Sequence, residues 1–381
     1  MVFVFAFDHE YDTPPMTLKD LLGGKGANLA EMTSVLGLPV PPGFTITTDA
    51  CRAWLAGGWP DGLDEEIETN VAMIEQRMGR RLGDARDPLL LSVRSGAKFS
   101  MPGMMDTVLD LGLNDHVVDG LAARTDARFA HDSYRRFLSL FGSVVLGVPR
   151  DRFEEDLAAA KSQSGAASDA DLPAEALVDL AKKHRAVIEH ETGRAFPDDP
   201  RTQLRLAVEA VFRSWSGARA VAYRTREHIP HDLGTAVNIQ VMVYGNRDER
   251  SGTGVGFTRD PTTGAPNAYG DFLINAQGED VVSGTRTTLP LAALGDHFPD
   301  INIELLDIFR RLELHYRDML DTEFTIESGR LWMLQTRTGK RTGPAALRIA
   351  VDMAHDPAIA LTPAEVVTLV HPEHLEQLLH P

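Results

Sequence analysis

Hydrophobic and polar positions change period from one stretch of the chain to the next. Over residues 1 to about 113, short apolar runs are interleaved with helical ones, a mixed α/β pattern. The opening "MVFVFAFDHEYD" is apolar and then acidic, which predicts a buried β-strand. "LPVPPGFTITTDACRAWL" reads as a proline-bounded turn, a short strand and a helix capped by Thr48 or Asp49. "DPLLLSVRSGA" is an apolar strand that ends at Arg94 and small residues. From 114 to about 198 the period turns helical, as in "FAHDSYRRFLSLFGSVV" and "AEALVDLAKKHRAVIEHE", with the Ser/Ala/Asp-rich "KSQSGAASDADLPAE" between them as an exposed connection. "QLRLAVEAVFRSWSGARAVAYR" predicts a helix leading into a strand, and "TAVNIQVMVYGN" a β-rich run closed by a Gly-Asn turn. Strands and glycine-rich loops dominate from 245 to 340, and helices follow after 341. There is no internal repeat.

Bulk properties narrow the function classes. The 381 residues suffice for two or three compact units, and 43% hydrophobic residues supply a core. No apolar run reaches the roughly 18 residues of a membrane span, and the N-terminus lacks the basic start and small-residue cleavage site of a signal peptide. One cysteine, Cys51, excludes a disulfide framework and a thiolate metal site and fits a reducing cytoplasm. A formal net charge of −17 argues against non-specific nucleic-acid binding, which needs a basic face. It leaves nucleotides open, because their phosphates need only a few placed cations and a Mg²⁺.

The segment with most chemistry is "DTEFTIESGRLWMLQTR", residues 321 to 337. Ser328-Gly329 marks a turn between two β-rich runs. The first run puts Phe324 and Ile326 on one face and Asp321 and Glu323 on the other; the second opposes Trp332 and Leu334 to Gln335 and Arg337. If the apolar faces match, Glu323 lies opposite Gln335 and Asp321 opposite Arg337. That register needs an odd-numbered loop, such as three residues with a bulge. Carboxylates at i and i+2 suit Mg²⁺, and an arginine beside them suits a transferring phosphoryl group. A solvated hairpin face with a surface ion pair is the plainer reading.

Other segments add cations and glycines. Arg94 ends a buried-looking strand, where a guanidinium can face a ligand crevice, and Pro102, Gly103 and a Met-rich tip follow. Gly252, Gly254 and Gly256 alternate with Thr253 and Val255 in a stretch that reads as a loop whose N–H groups could approach phosphates, or as a small-residue hairpin tip. In "INAQGED", Glu279 is a Mg²⁺ or ribose contact or a loop acid. "GGKGANLAEM", residues 23 to 32, lacks the spacing and trailing Ser/Thr of a Walker A loop; Lys25 either presents its ammonium beside helix N-terminal amides or begins a helix. Neither a Ser-His-Asp order nor a helical His-x-x-x-His pattern is present.

In this order, "LLGGKGANLAEM", "PVPPGFTITTDAC", "LLLSVRSGAKFSMPGMMDTVLDLGLND", "AVFRSW", "GTAVNIQVMVYGN", "SGTGVGFTRDPTTG", "LINAQGEDVVSGTRT", "DTEFTIESGRLWMLQTRTGKRT" and "LEQLLHP" resemble the N-terminal nucleotide-binding domain of the pyruvate, phosphate dikinase family. The matches cover almost the whole chain, least distinctively at 114 to 198. "MPGMMDTVLDLGLND" resembles the phosphate dikinases rather than the related water dikinases.

The resemblance implies an α/β ATP-grasp fold with ATP between two lobes. Residues 1–113, completed by 199–244, would form the first lobe, 114–198 a helical insert, 245–340 the second lobe, and 341–381 a helical linker toward a phosphohistidine domain. It implies that Lys25 and Arg94 hold ATP phosphates, that Asp321 and Glu323 carry Mg²⁺, and that Gln335 and Arg337 contact the transferring phosphoryl groups. A Thr253-Gly254 loop would close over the phosphates, with adenine contacts from Gln240, Met242 and Val243. The family converts ATP, inorganic phosphate and pyruvate to AMP, pyrophosphate and phosphoenolpyruvate through a carrier histidine on another domain. The family's Thr-Ser-His carrier motif is absent, so the chain is expected to be part of a longer protein or to serve a carrier in trans. Lys98 and Phe99 stand where the family usually has Arg-Ala. The implied activity is the nucleotide half-reaction; a related phosphotransferase with another acceptor and a non-catalytic nucleotide-binding module are the alternatives.

Overall fold

The computed structural model describes residues 2–101, 103–105, 107–283 and 286–379, and of Glu279, Val282, Ser283, Leu378 and Leu379 the backbone alone. The chain divides into two compact units, one of residues 1–31 and 42–242, the other of residues 32–41 and 243–381.

In the first unit the elements are β1 (Val4–Ala6), α1 (Lys19–Ala30), β2 (Gly43–Ile46), α2 (Thr48–Gly57), α3 (Leu63–Met78), the short parallel pair β3 (Arg81–Leu82) and β4 (Pro88–Leu89), β5 (Leu91–Gly96), β6 (Thr107–Leu111), α4 (Val117–Arg124), α5 (Ala127–Val144), α6 (Arg150–Ser164), α7 (Ala174–Thr192), α8 (Pro200–Ser214), α9 (Ala218–Arg226) and β7 (Ala236–Val241). Among the described residues its main sheet runs β1-β2-β7-β5-β6 with antiparallel neighbours. Period-two alternation sorts the sheet into two faces. The pairs Thr45↔Asn238, Arg94↔Asn238, Ser92↔Gln240 and Gly96↔Ala236 put a polar row on one face. Ile239, Val93 and Phe44, on the opposite face, are wholly buried.

Two expectations for this unit change in detail. Thr47 rather than Thr48 or Asp49 caps α2, its side chain accepting from the Ala50 N–H. "ARAVAYR" is itself helical, as α9, and the strand that follows, β7, begins only at Ala236. Cys51 is fully buried on α2, and burial pushes its thiol up to about 11, so it stays protonated and inert at neutral pH.

The helical stretch is organised by a buried charge cluster. Arg135 of α5 is 5% exposed and bonds Asp132 at 2.8 Å and Asp169 at 2.9 Å. Asp169 also receives Lys161, so the Ser/Ala/Asp-rich connection is pinned to the helices rather than merely exposed. His184 of α7 is buried, stacks edge-on against Phe153 and donates from Nδ1 to the Arg135 carbonyl at 3.2 Å. Burial lowers its pKa from 6.5 to about 4. Between those values the unfolded chain binds a proton that the folded chain refuses, so stability falls as pH drops through the window. The loss should approach ~3 kcal/mol at the acid end. His184→Gln should flatten the slope of unfolding free energy against pH by about one proton there. An unchanged slope would remove His184 from the acid response.

The second unit contains β8 (Gly252–Phe257), β9 (Tyr269–Ile274), α10 (Gly278–Ser283), β10 (Leu289–Pro290), α11 (Leu294–His297), α12 (Pro299–Tyr316), β11 (Leu320–Glu327), β12 (Arg330–Thr338), α13 (Gly343–His355), α14 (Pro363–Thr368) and α15 (Pro372–Leu379). Its described sheet runs β10-β9-β8-β11-β12, all antiparallel. The segment 32–41 joins it: the Met333 N–H donates to Pro39 O at 2.8 Å and Thr336 Oγ1 to Met32 Sδ at 3.1 Å.

Residues 252–257 form the strand β8, bordered by β9 and β11, and not a loop. Its glycines answer to packing: a Cβ on Gly254 would lie 2.5 Å from Phe324 Cζ, and one on Gly256 would lie 2.7 Å from Phe309 Cζ. Thr253 and Gly254 therefore cannot act as a loop closing over phosphates, because a strand bordered on both sides spends its N–H groups on the ladders. Helix α12, whose Ile301, Leu305, Ile308, Phe309 and Leu312 are buried at helical spacing, interrupts a region expected to be dominated by strands and glycine-rich loops. No helix among the described residues is long and apolar enough to cross a membrane.

Candidate functional site

In the first unit Arg94 and Gln240 share the polar face of the sheet, and the backbone at Lys25 approaches it. Helix α1 is broken at Gly23, which has φ 66° and ψ 169°. A Cβ there would sit 1.6 Å from Gly96 O, so only glycine permits the chain to pass this close to β5. The Gly24 N–H donates to Ala97 O at 2.9 Å. The glycines of "GGKG" thus serve as a helix-to-strand contact, and Lys25 lies in the turn that follows the break. A Cβ placed on Gly96 would stand 3.6 Å from Lys25 Cβ, and Arg94 is two residues before it on β5. The motifs "GGKG" and "SVRSGA" therefore meet.

Arg94 lies within β5, half-buried, between Thr107 of β6 and Asn238 of β7. Gln240, 2% exposed, shares its face through the Ser92↔Gln240 pair. Met242 ends the first unit, its N–H donating to Leu90 O at 2.9 Å, and Val243 begins the second-unit segment. Past Gly96, Lys98 Nζ bonds Asp20 Oδ1 at 2.7 Å, while Met101, Met104 and Met105 pack with Trp215 and Ala220. Pro102 lies outside the described residues.

In the second unit the hairpin pairs as expected. Asp321 faces Arg337 and Glu323 faces Gln335. Arg337 Nε donates to Asp321 Oδ2 at 2.6 Å, and Gln335 Nε2 to Glu323 Oε1 at 3.2 Å. The origin of the register differs. The loop is two residues, Ser328 and Gly329, both at positive φ (50° and 80°), the signature of a tight hairpin turn. The odd residue is Leu334, left unpaired between Met333↔Phe324 and Gln335↔Glu323 as a β-bulge. The bulge also exchanges faces: Met333 joins Phe324, and Trp332 pairs with Thr325 instead of sharing a face with Leu334.

The same registers place Thr253 on the carboxylate side of the sheet, with Val255 opposite Glu323 and Phe257 opposite Asp321. Thr253 is buried, its hydroxyl donating to Phe324 O at 3.2 Å, whereas Gly254 faces the Phe324 side. Asp271, opposite Val255, is a further acid on the carboxylate side that no sequence signal marked. Glu327 accepts from the Tyr244 N–H at 3.1 Å and is thereby committed to the turn before β8. Glu279 lies on α10, but its side chain is outside what is described.

Among the described residues no group of three or more His, Cys, Asp or Glu could hold a metal alone. Asp321 and Glu323 nevertheless fit Mg²⁺, which binds through one or two carboxylates and completes its octahedron with water and phosphate oxygens. Asp321 has a side chain 11% exposed, against 52% for Arg337. The carboxylate is therefore held in place while the guanidinium reaches into solvent, able to exchange Asp321 for a substrate anion.

The family described as "Pyruvate phosphate dikinase, AMP/ATP-binding domain" matches residues 19–58, 60–289 and 300–356. The chain is 53% identical over 380 residues to pyruvate, phosphate dikinase 1, chloroplastic, of Oryza sativa subsp. japonica, covering 99% of this chain and 40% of that protein. It is 50% identical over 377 residues to pyruvate, phosphate dikinase of Clostridium symbiosum, covering 98% of this chain and 43% of that protein. The chain thus spans about two fifths of the length of these curated relatives.

Proposed function

Because this chain belongs to the family of pyruvate phosphate dikinase AMP/ATP-binding domains, we propose that it binds ATP and carries out the nucleotide half-reaction of such a dikinase. ATP, inorganic phosphate and a carrier histidine would yield AMP, pyrophosphate and phosphohistidine, so that four phosphorus atoms enter and four leave. The histidine resides on another domain, in cis or in trans, and the final acceptor is pyruvate. A reducing, cytoplasmic compartment suits a chain with a single buried thiol.

The observation that carries this reading is the register Asp321↔Arg337 and Glu323↔Gln335, which unites two carboxylates, an amide and a guanidinium on one face. Lys25 and Arg94 bind phosphate oxygens of the nucleotide, the ammonium as a point charge and the guanidinium as a fork. The segment Gln240–Val243 supplies the adenine contacts. Bound Mg²⁺ would neutralise phosphate oxygens between Asp321 and Glu323. Gln335 fixes the rotamer of Glu323, and Arg337 turns from Asp321 to the transferring phosphoryl group, where its charge stabilises the transition state. Little covalent work falls to this chain, so catalysis is positioning and electrostatics.

Calorimetric titration with the β,γ-imido analogue of ATP, with and without Mg²⁺, tests the proposal. The native chain should bind in a metal-dependent manner, and Lys25→Ala should bind about 10- to 100-fold more weakly, the loss of one charged hydrogen-bond donor. Absence of binding by the folded native chain would overturn the reading. A requirement for inorganic phosphate, with release of pyrophosphate, separates this reaction from other dikinase-type transfers.

A further inference from the structure

We propose that Asn238 and Thr45 are positioning residues that seat Lys25 and Arg94 for the nucleotide phosphates. The inference rests on the proposed phosphate-binding role of those two cations.

Asn238 is 0% and Thr45 1% exposed, both on the polar face of the first sheet. Thr45 Oγ1 donates to Asn238 Oδ1 at 2.9 Å, and Asn238 Nδ2 donates toward the Arg94 carbonyl at 3.5 Å. One buried amide thus links β2, β7 and the backbone of the residue whose guanidinium is at issue. The same pair supports α1 from below. A Cβ on Gly26 would lie 2.7 Å from Thr45 Oγ1 and 3.0 Å from Asn238 Oδ1. A Cβ on Gly96 would lie 2.4 Å from Asn238 Nδ2. The residue after Lys25 and the second residue after Arg94 are therefore both glycine because this pair occupies the space a side chain would take.

A valine–leucine pair could fill a core here without a buried polar group, which is costly unless bonded. What the amide and hydroxyl add is direction. A shift of about 1 Å in either cation costs far more in phosphate binding than in folding, since charged hydrogen bonds depend steeply on distance and angle.

Thr45→Val keeps the side-chain shape and removes the donor. With the β,γ-imido analogue of ATP as probe, calorimetry should show binding weakened about tenfold, while AMP binding changes less than about twofold. Thr45→Ser should restore the analogue's affinity. In a Lys25→Ala background, Thr45→Val should produce a clearly smaller further loss, because one of the two cations the pair positions is gone. Equal weakening of both ligands, or the same tenfold loss in the Lys25→Ala background, would reduce the pair to structural support and overturn the proposal. If Lys25→Ala binds the analogue as tightly as the native chain, the functional reading itself fails and this inference falls with it, an outcome distinct from the other two. Circular dichroism monitors folding, and Thr45→Ala carries the same comparison if Thr45→Val does not fold.

Discussion

Arg337→Ala is expected to lower phosphoryl transfer to a supplied carrier domain by about 10³-fold or more, the scale on which a transition-state arginine acts. Nucleotide affinity should change by less than about threefold, because the missing charge acts where negative charge develops rather than on bound ATP. The geometry gives this split its basis. Arg337 bonds Asp321 at 2.6 Å, yet its side chain is 52% exposed, so the pair contributes at most about 1 kcal/mol to folding. The variant should therefore unfold within a few degrees of the native chain. Rapid-quench measurement of phosphohistidine formation, beside calorimetry with the imido analogue, reads both quantities. Normal turnover in the variant would sink the assignment of Arg337; a parallel collapse of nucleotide binding would make it a ground-state ligand.

Removal of one partner of a buried ion pair should have the largest effect on stability. Arg259, just beyond β8, is 5% exposed and Glu313 of α12 is 6% exposed. They meet in a fork, Nε to Oε1 at 2.8 Å and Nη2 to Oε2 at 3.0 Å. Asp352 of α13 stands 3.7 Å from Arg259 Nη1, so the cluster ties strand, α12 and α13 together. Glu313→Ala removes the fork and leaves the buried guanidinium only the longer contact to Asp352, and should cost about 3 kcal/mol. The double change Arg259→Met and Glu313→Leu, of similar volume and without charge, should recover most of that loss. Urea unfolding followed through Trp332, the tryptophan of the second unit, reports the relevant transition. A cost below about 1 kcal/mol for Glu313→Ala would show that water reaches the pair.

Legibility differed from element to element for physical reasons. The pairing of Asp321 with Arg337 could be read because strand side chains alternate strictly, and matching apolar faces leaves few registers. The bulge at Leu334 could not, since an extra apolar residue in the loop or in the strand leaves the same composition. Thr47, Thr48 and Asp49 are three consecutive residues able to cap, and local chemistry does not choose among them. Helix α12 carries an ordinary amphipathic period that the flanking strand and glycine signals obscure.

By itself the sequence determined the strand and helix types around the site, the family, and the residue types available for phosphate chemistry, because alternation and motif spacing are local properties. Tertiary structure alone decided what the glycines are for. Gly254 and Gly256 make room for Phe324 and Phe309, and Gly23 lets α1 reach Gly96. It also decided that Lys25 and Arg94 belong to neighbouring backbone over the Asn238–Thr45 pair. Those facts depend on which distant surfaces come within van der Waals contact, and no local period encodes that distance.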